Sequence, residues 1–188
     1  MSDFAAPATS FAADLPFADA LEIAGQWLAA WDAGELSDEV LADQVGALVA
    51  CRDGARGFFV VALTGASPLM DRLPEPLVQQ LRLAGPPVVD LTVRNLAMST
   101  AMAVAHGRSG DSERQLASEQ VRNRSRELLR QLDPLAVKQR LETLLQAARD
   151  GRGDDVAFLE RWGYDEEQRA AIAMAVDSVP EGTAEALA

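Results

Sequence analysis

Apolar residues in this chain recur mainly at alternating steps of four and three, the spacing that gathers them on one face of an α-helix. Phe17, Leu21, Ala24, Leu28 and Trp31 form the first such stripe. It lies between Pro16, which suits a helix start, and Gly34, a natural stop. Ser37 reads as an N-cap, with Asp38 and Glu39 well placed against the helix dipole and Leu36 and Leu41 positioned as a hydrophobic staple. Leu41, Val45, Leu48 and Val49 make the buried face of that second helix, and Gly54 is expected to end it. Residues 58–63 read FFVVAL and are too uniformly apolar to show a period. A lone strand there would leave its backbone unpaired, and no other segment reads convincingly as a strand, so helix is predicted.

A short helix is expected over 73–84, opened by Pro74 and Pro76 and closed by Gly85-Pro86-Pro87. Residues 88–106 are different in kind. Leu91, Leu96, Met98, Met102 and Val104 are interspersed with Ala97, Ser99, Ala101, Ala103 and Ala105, leaving little polar face. Such a helix must be covered on most sides, and its small residues admit close neighbours. Gly107 is expected to end it. Asp111 or Ser112 caps a long helix to Leu132, and Asp133-Pro134 opens another with Val137, Leu141, Leu144 and Ala148 inward. A short helix covers 154–162. Asp165 and Gln168 form a capping box for the last one, which reaches Ser178 with Ile172, Ala175 and Val179 inward. The prediction is an all-α fold, a single domain over 14–179 of about seven or eight helices bundled around the central segment 88–106. Residues 1–13 are expected to be a disordered tail and 180–188 a frayed one.

Composition narrows the chemistry. With 48% hydrophobic residues among 188, the chain can bury a core without disulfides or metals. Cys51 and His106 are the only residues of their types. An intramolecular disulfide and a thiolate zinc cluster are thereby excluded, and most acid–base arrangements with them. No catalytic group, metal site or cofactor is expected. The N-terminus lacks a basic leader and the longest apolar run, 58–63, is far short of a membrane span, so a cytoplasmic location is expected. The net charge of −12 argues against DNA and anionic membranes as partners. That charge is uneven: residues 106–152 carry 10 basic against 7 acidic groups, while 153–188 carry 2 against 9. The middle segment is therefore where an acidic partner would dock.

Arg122, Arg126 and Arg130 lie on one stripe of its long helix at i, i+4 and i+8, with Arg114 and Arg124 nearby. Arginine suits carboxylate and phosphate contacts, so the stripe is the candidate face for an acidic protein surface or a phosphate group. Glu119 and Glu127 interleave it, and a solvated helix face is the plainer reading. Asp90, Arg94 and Asn95 on the apolar helix, with His106 at its end, are the candidate pocket residues. The plainer reading there is an intrahelical pair and a histidine capping the helix end. Gly54-Ala55-Arg56-Gly57 lacks the lysine and hydroxyl of a phosphate loop and reads as a connector. Trp27, Trp31 and Trp162 would flank a flat ligand such as a tetrapyrrole, but Trp31 continues the apolar stripe and core packing is favoured.

Three stretches, CRDGARGFFVVALTG (51–65), NLAMSTAMAVAHGR (95–108) and FLERWGYDEEQRAAI (158–172), together resemble an uncharacterised family of small cytosolic helical proteins of cyanobacterial type. The resemblance implies a role in a photosynthetic bacterium and no particular chemistry. The expected function is that of a non-enzymatic interaction or regulatory protein acting through a helix face. The alternative is a small-molecule or tetrapyrrole-binding helical domain.

Overall fold

A computed structural model of the chain describes residues 15–179, and the expectations for the two tails fall outside them. Among the described residues there is no strand. The α-helices are α1 (Phe17–Asp32), α2 (Asp38–Val49), α3 (Arg52–Thr64), α4 (Glu75–Leu83), α5 (Pro86–Ser109), α6 (Ser112–Gln131), α7 (Pro134–Asp150), α8 (Val156–Arg161) and α9 (Glu166–Asp177), with a 3-10 turn at Pro68–Asp71. The fold is all-α as predicted, with nine α-helices among the described residues where about seven or eight were expected. They gather into two compact units that divide between Ala84 and Gly85, at the Gly85-Pro86-Pro87 break expected from the sequence only as a helix end.

In the first unit α1 packs on α3, and α2 on α3 and α4. The FFVVAL segment is helical, as its missing strand partner required, and forms the second half of α3. The connector reading of the glycines before it is overturned, as is Gly54 as the end of α2. The chain turns at Ala50 and Cys51, and both Gly54 and Gly57 lie inside α3. The reason is close approach. A Cβ on Gly57 would stand 2.6 Å from the Ala20 Cβ and 2.8 Å from its carbonyl carbon, so the bare glycine lets α1 and α3 meet backbone to backbone. Ser37 caps α2 as predicted, accepting from the Val40 amide at 3.3 Å. Trp31 is only half-buried, and its indole N–H donates to Asp38 at 2.8 Å, so it is not the core residue the stripe suggested.

In the second unit α5 is the hub, packed against α6, α7 and α9. Val88, Val93, Leu96, Ala97 and Ala101 are fully buried. Gly107 does not end the helix. The stop is Gly110, whose φ of 72° is the left-handed conformation that glycine adopts at least cost. The hydroxyls of Thr92 and Thr100 turn back onto the carbonyls of Val88 and Leu96, each at 2.7 Å, so an apolar helix carries buried polar groups without leaving them unpaired. Gln168 of the α9 capping box reaches across to the Ala101 carbonyl at 3.0 Å. Helix α5 has the length and apolarity of a membrane span, which the short-run reading of the sequence missed. Over half of its most apolar window is buried inside the protein, as for a core helix.

The two glycine environments predict opposite signs for one substitution. A Cβ on Gly25 in α1 meets nothing within 4 Å, so Gly25→Ala should stabilise by up to about 1 kcal/mol through helix propensity. Gly57→Ala gains the same propensity but forces α1 and α3 apart, at a cost of about 1–3 kcal/mol. Urea midpoints should move up for the first and down for the second. A rise for both would mean that Gly57 does not set the α1–α3 approach.

Candidate functional site

The arginine helix α6 begins at Asp111, whose carboxylate accepts from the Arg114 amide at 3.1 Å. Its arginines have unequal surroundings. Arg122 is half-buried and has no hydrogen-bond or ion-pair partner among the described residues. The Arg126 Nε lies 3.5 Å from Glu127, too far for a good hydrogen bond. Arg130 is committed: it pairs with Glu127 at 2.6 Å and donates to the Ser178 carbonyl at 3.0 Å, holding the end of α9. Arg124 is 3% exposed rather than a surface group, and the Gln120 carboxamide oxygen faces its guanidinium at 3.0 Å. Arg122 and Arg126, both half-buried and the latter with its Nε buried and unbonded, are thus the loosely held arginines of the stripe, while Arg130 ties the helix to α9.

The candidate pocket residues separate. Asp90 and Arg94 pair at 3.0 Å on α5, as their spacing predicts. Arg140 of α7 also binds Asp90, at 2.6 Å, and bonds both oxygens of Asp155 at the start of α8. Arg94 lies 3.9 Å from the same Asp155 and 4.9 Å above the Phe158 ring. Asn95 sits beside this cluster, its carbonyl accepting from Ser99 at 2.6 Å. His106 is twelve residues beyond Arg94 on the same helix, about 18 Å along the axis, and its carbonyl caps the turn into α6. Asp155 is the demanding member, since its side chain is only 4% exposed. A buried carboxylate needs both a charge partner and hydrogen bonds; Arg140 supplies both, and Arg94 at 3.9 Å adds only its charge. Burial works against the Arg140 charge, but its bonds to Asp155 and Asp90 outweigh it and hold the guanidinium more firmly protonated than usual.

At the other end of α5, Arg108 binds Asp165 and Glu167 at the start of α9. The contact is about half exposed, so hydrogen bonding rather than burial sets its electrostatics. The Arg108 guanidinium, helped by the Gln168 amide, holds the Asp165 carboxyl down at about 2.

A cleft of about 680 Å³ opens between the C-terminal turn of α7 and α9, lined by Ala148, Arg149, Tyr164, Glu166, Arg169 and Met174 among others. Burial pushes the Tyr164 hydroxyl up to about 12, so it stays a neutral hydrogen-bonding group at neutral pH. Its ring stands edge-on to Phe158 with centroids 6.4 Å apart. Neither the cleft nor the Arg140–Asp155 pair was visible in the sequence, because their members come from different helices. Their one local trace was the Asp165–Gln168 capping box, which marks where α9 begins.

Two outcomes follow from these charges. Arg140→Met should cost about 3 kcal/mol by stranding Asp155, and adding Asp155→Asn should recover much of it. Equal urea midpoints for wild type and the single variant would show that Asp155 is not held by Arg140. For Asp165, the folded value of about 2 lies below the unperturbed 3.8. Its contact with Arg108 therefore stabilises the fold above pH 3.8 and is lost as pH falls toward 2. Carboxyl NMR titration should show Asp165 returning toward 3.8 in Arg108→Gln, and an unmoved midpoint would rule out the arginine as the cause.

No curated protein and no solved structure matches this chain. A family model, uncharacterised conserved protein UCP020893, matches residues 16–179, which takes in all nine helices from the first turn of α1 to the end of α9. The chain belongs to that family of uncharacterised conserved proteins.

Proposed function

We propose that the protein is a non-enzymatic interaction protein that docks an acidic protein surface through the Arg122–Arg126 face of α6. The observation that carries this is the unpartnered Arg122 beside the weakly paired Arg126 on one stripe of α6, within the one segment of net positive charge on a chain of net charge −12. A guanidinium fork exposed at a helix surface suits a carboxylate or a phosphate on the partner. The overall negative potential opposes long-range steering, so the contact is short-range and weakens with salt. The resemblance to cytosolic proteins of cyanobacterial type favours a cytoplasmic partner in such a cell. The α7–α9 cleft supports a second reading, a small-molecule-binding domain, in which a compact polar ligand suits the lining better than a tetrapyrrole.

The test reverses the two half-buried arginines that make no hydrogen bond among the described residues. Arg122→Glu with Arg126→Glu leaves Arg130 on the Ser178 carbonyl, and far-UV circular dichroism beside the wild type checks that the fold survives. The control is Glu35→Arg with Glu39→Arg in the first unit, which spares Asp38, the acceptor for Trp31, and Asp43, the acceptor for Gln80. Partners recovered by wild type from native lysate at low salt should be lost to the arginine variant and kept by the control. The opposite pattern would assign docking to the acidic N-terminal helices.

A further inference from the structure

The α7–α9 cleft holds two opposite charges that do not meet. Glu166 and Arg169 stand three apart on α9, which puts their Cβ atoms about 5–6 Å from one another, the usual setting for an intrahelical ion pair. No such pair forms. Arg169 is turned back instead, with its Nε donating to the Tyr164 carbonyl at 3.0 Å. That bond commits one edge of the guanidinium and leaves its two terminal nitrogens, the fork that grips a carboxylate with two parallel hydrogen bonds. Among the described residues neither those nitrogens nor the Glu166 carboxylate has a hydrogen-bond or ion-pair partner. The other cation on the cleft, Arg149, is already neutralised by Asp177.

Beside these charges part of the wall is apolar. Ala148, Ala170 and Ala173 present methyl groups, and Met174 adds a flexible thioether that is 67% exposed. The volume of about 680 Å³ falls inside the range of about 300–1,000 Å³ usual for small-molecule sites. One free cation, one free anion and an adjoining apolar wall restrict the ligand. A phosphate dianion would face Glu166, and a simple amine would face Arg169. A molecule carrying both head groups satisfies both.

We propose that this cleft is a binding site for a small apolar zwitterion of the amino-acid class. Its carboxylate sits on the Arg169 fork, its ammonium on Glu166, and its side chain against Ala170, Ala173 and Met174. The backbone bond to Tyr164 presets Arg169, so little of the arginine's freedom is lost on binding. This site is independent of the α6 docking face, and either stands without the other.

The experiment is an amide NMR titration of the full chain with L-leucine, L-methionine and L-phenylalanine. Isocaproate and isoamylamine, which are leucine without its ammonium and without its carboxylate, are run beside them. At least one amino acid should shift the amides of Tyr164, Glu166, Ala170 and Ala173 saturably, and removing either head group from leucine should weaken binding about tenfold or more. Glu166→Gln should weaken leucine similarly while leaving isocaproate no worse. Arg169→Lys should keep the charge, lose the fork and weaken both carboxylates. Because Glu166 is exposed at the helix start, its variant should keep the fold and remains informative even where a change at Arg169 disturbs Tyr164. The proposal is overturned by saturable shifts with none of the three amino acids, or by equal affinity for leucine and isocaproate.

Discussion

A helix with almost no polar face is stable in water only when other elements cover it, because each exposed apolar side would forgo the free energy that burial supplies. Helix α5 sets this condition for the second unit. Its twenty-four residues are met by α6, α7 and α9, whose own inward positions, such as Leu128, Leu144 and Ile172, are fully buried. Small residues along α5 set how closely those neighbours pack. Its threonines satisfy themselves within the helix, so the neighbours can be apolar where they touch it.

Coverage by non-directional burial does not by itself hold each helix in one orientation. Charge pairs at the two ends of α5 do that. Arg140 and Arg94 join α5 to α7 and to Asp155 at the start of α8, and Arg108 ties the last turn of α5 to the first turn of α9. The two clamps are not equivalent. The first encloses a carboxylate that is almost wholly buried, so its loss strands a charge. The second is half exposed, so its loss returns both partners to water at little expense.

Arg94, Arg108 and Arg140 of the second unit are held in these clamps, and Arg130 and Arg149 contact the end of α9. Arg122 on α6 and the terminal nitrogens of Arg169 in the cleft have no partner among the described residues, and neither do the exposed Arg152 and Arg161. Groups left unpaired by the fold's own accounting are those free to recognise something else.

Much of this was legible in the sequence, and the legible part shares one property. Helix existence, the caps at Ser37, Asp133 and Asp165, and the need to bury 88–106 depend on interactions that reach no further than about four residues along the chain. Gly54 and Gly107 were misplaced as helix ends because a glycine reads locally as a stop. Gly57, read as part of a connector, instead lies inside α3 where another helix presses against it. The charge clusters were illegible for the same reason in reverse. Arg140 meets Asp90 across 50 residues and Arg108 meets Asp165 across 57, so their pairing is decided by how helices cross. Sequence alone determined which segments are helical and which of them must be buried. The tertiary structure decided which charges are spent on the fold and which are left over, because a side chain's partner is set by distance in space, and local periodicity carries no information about that distance.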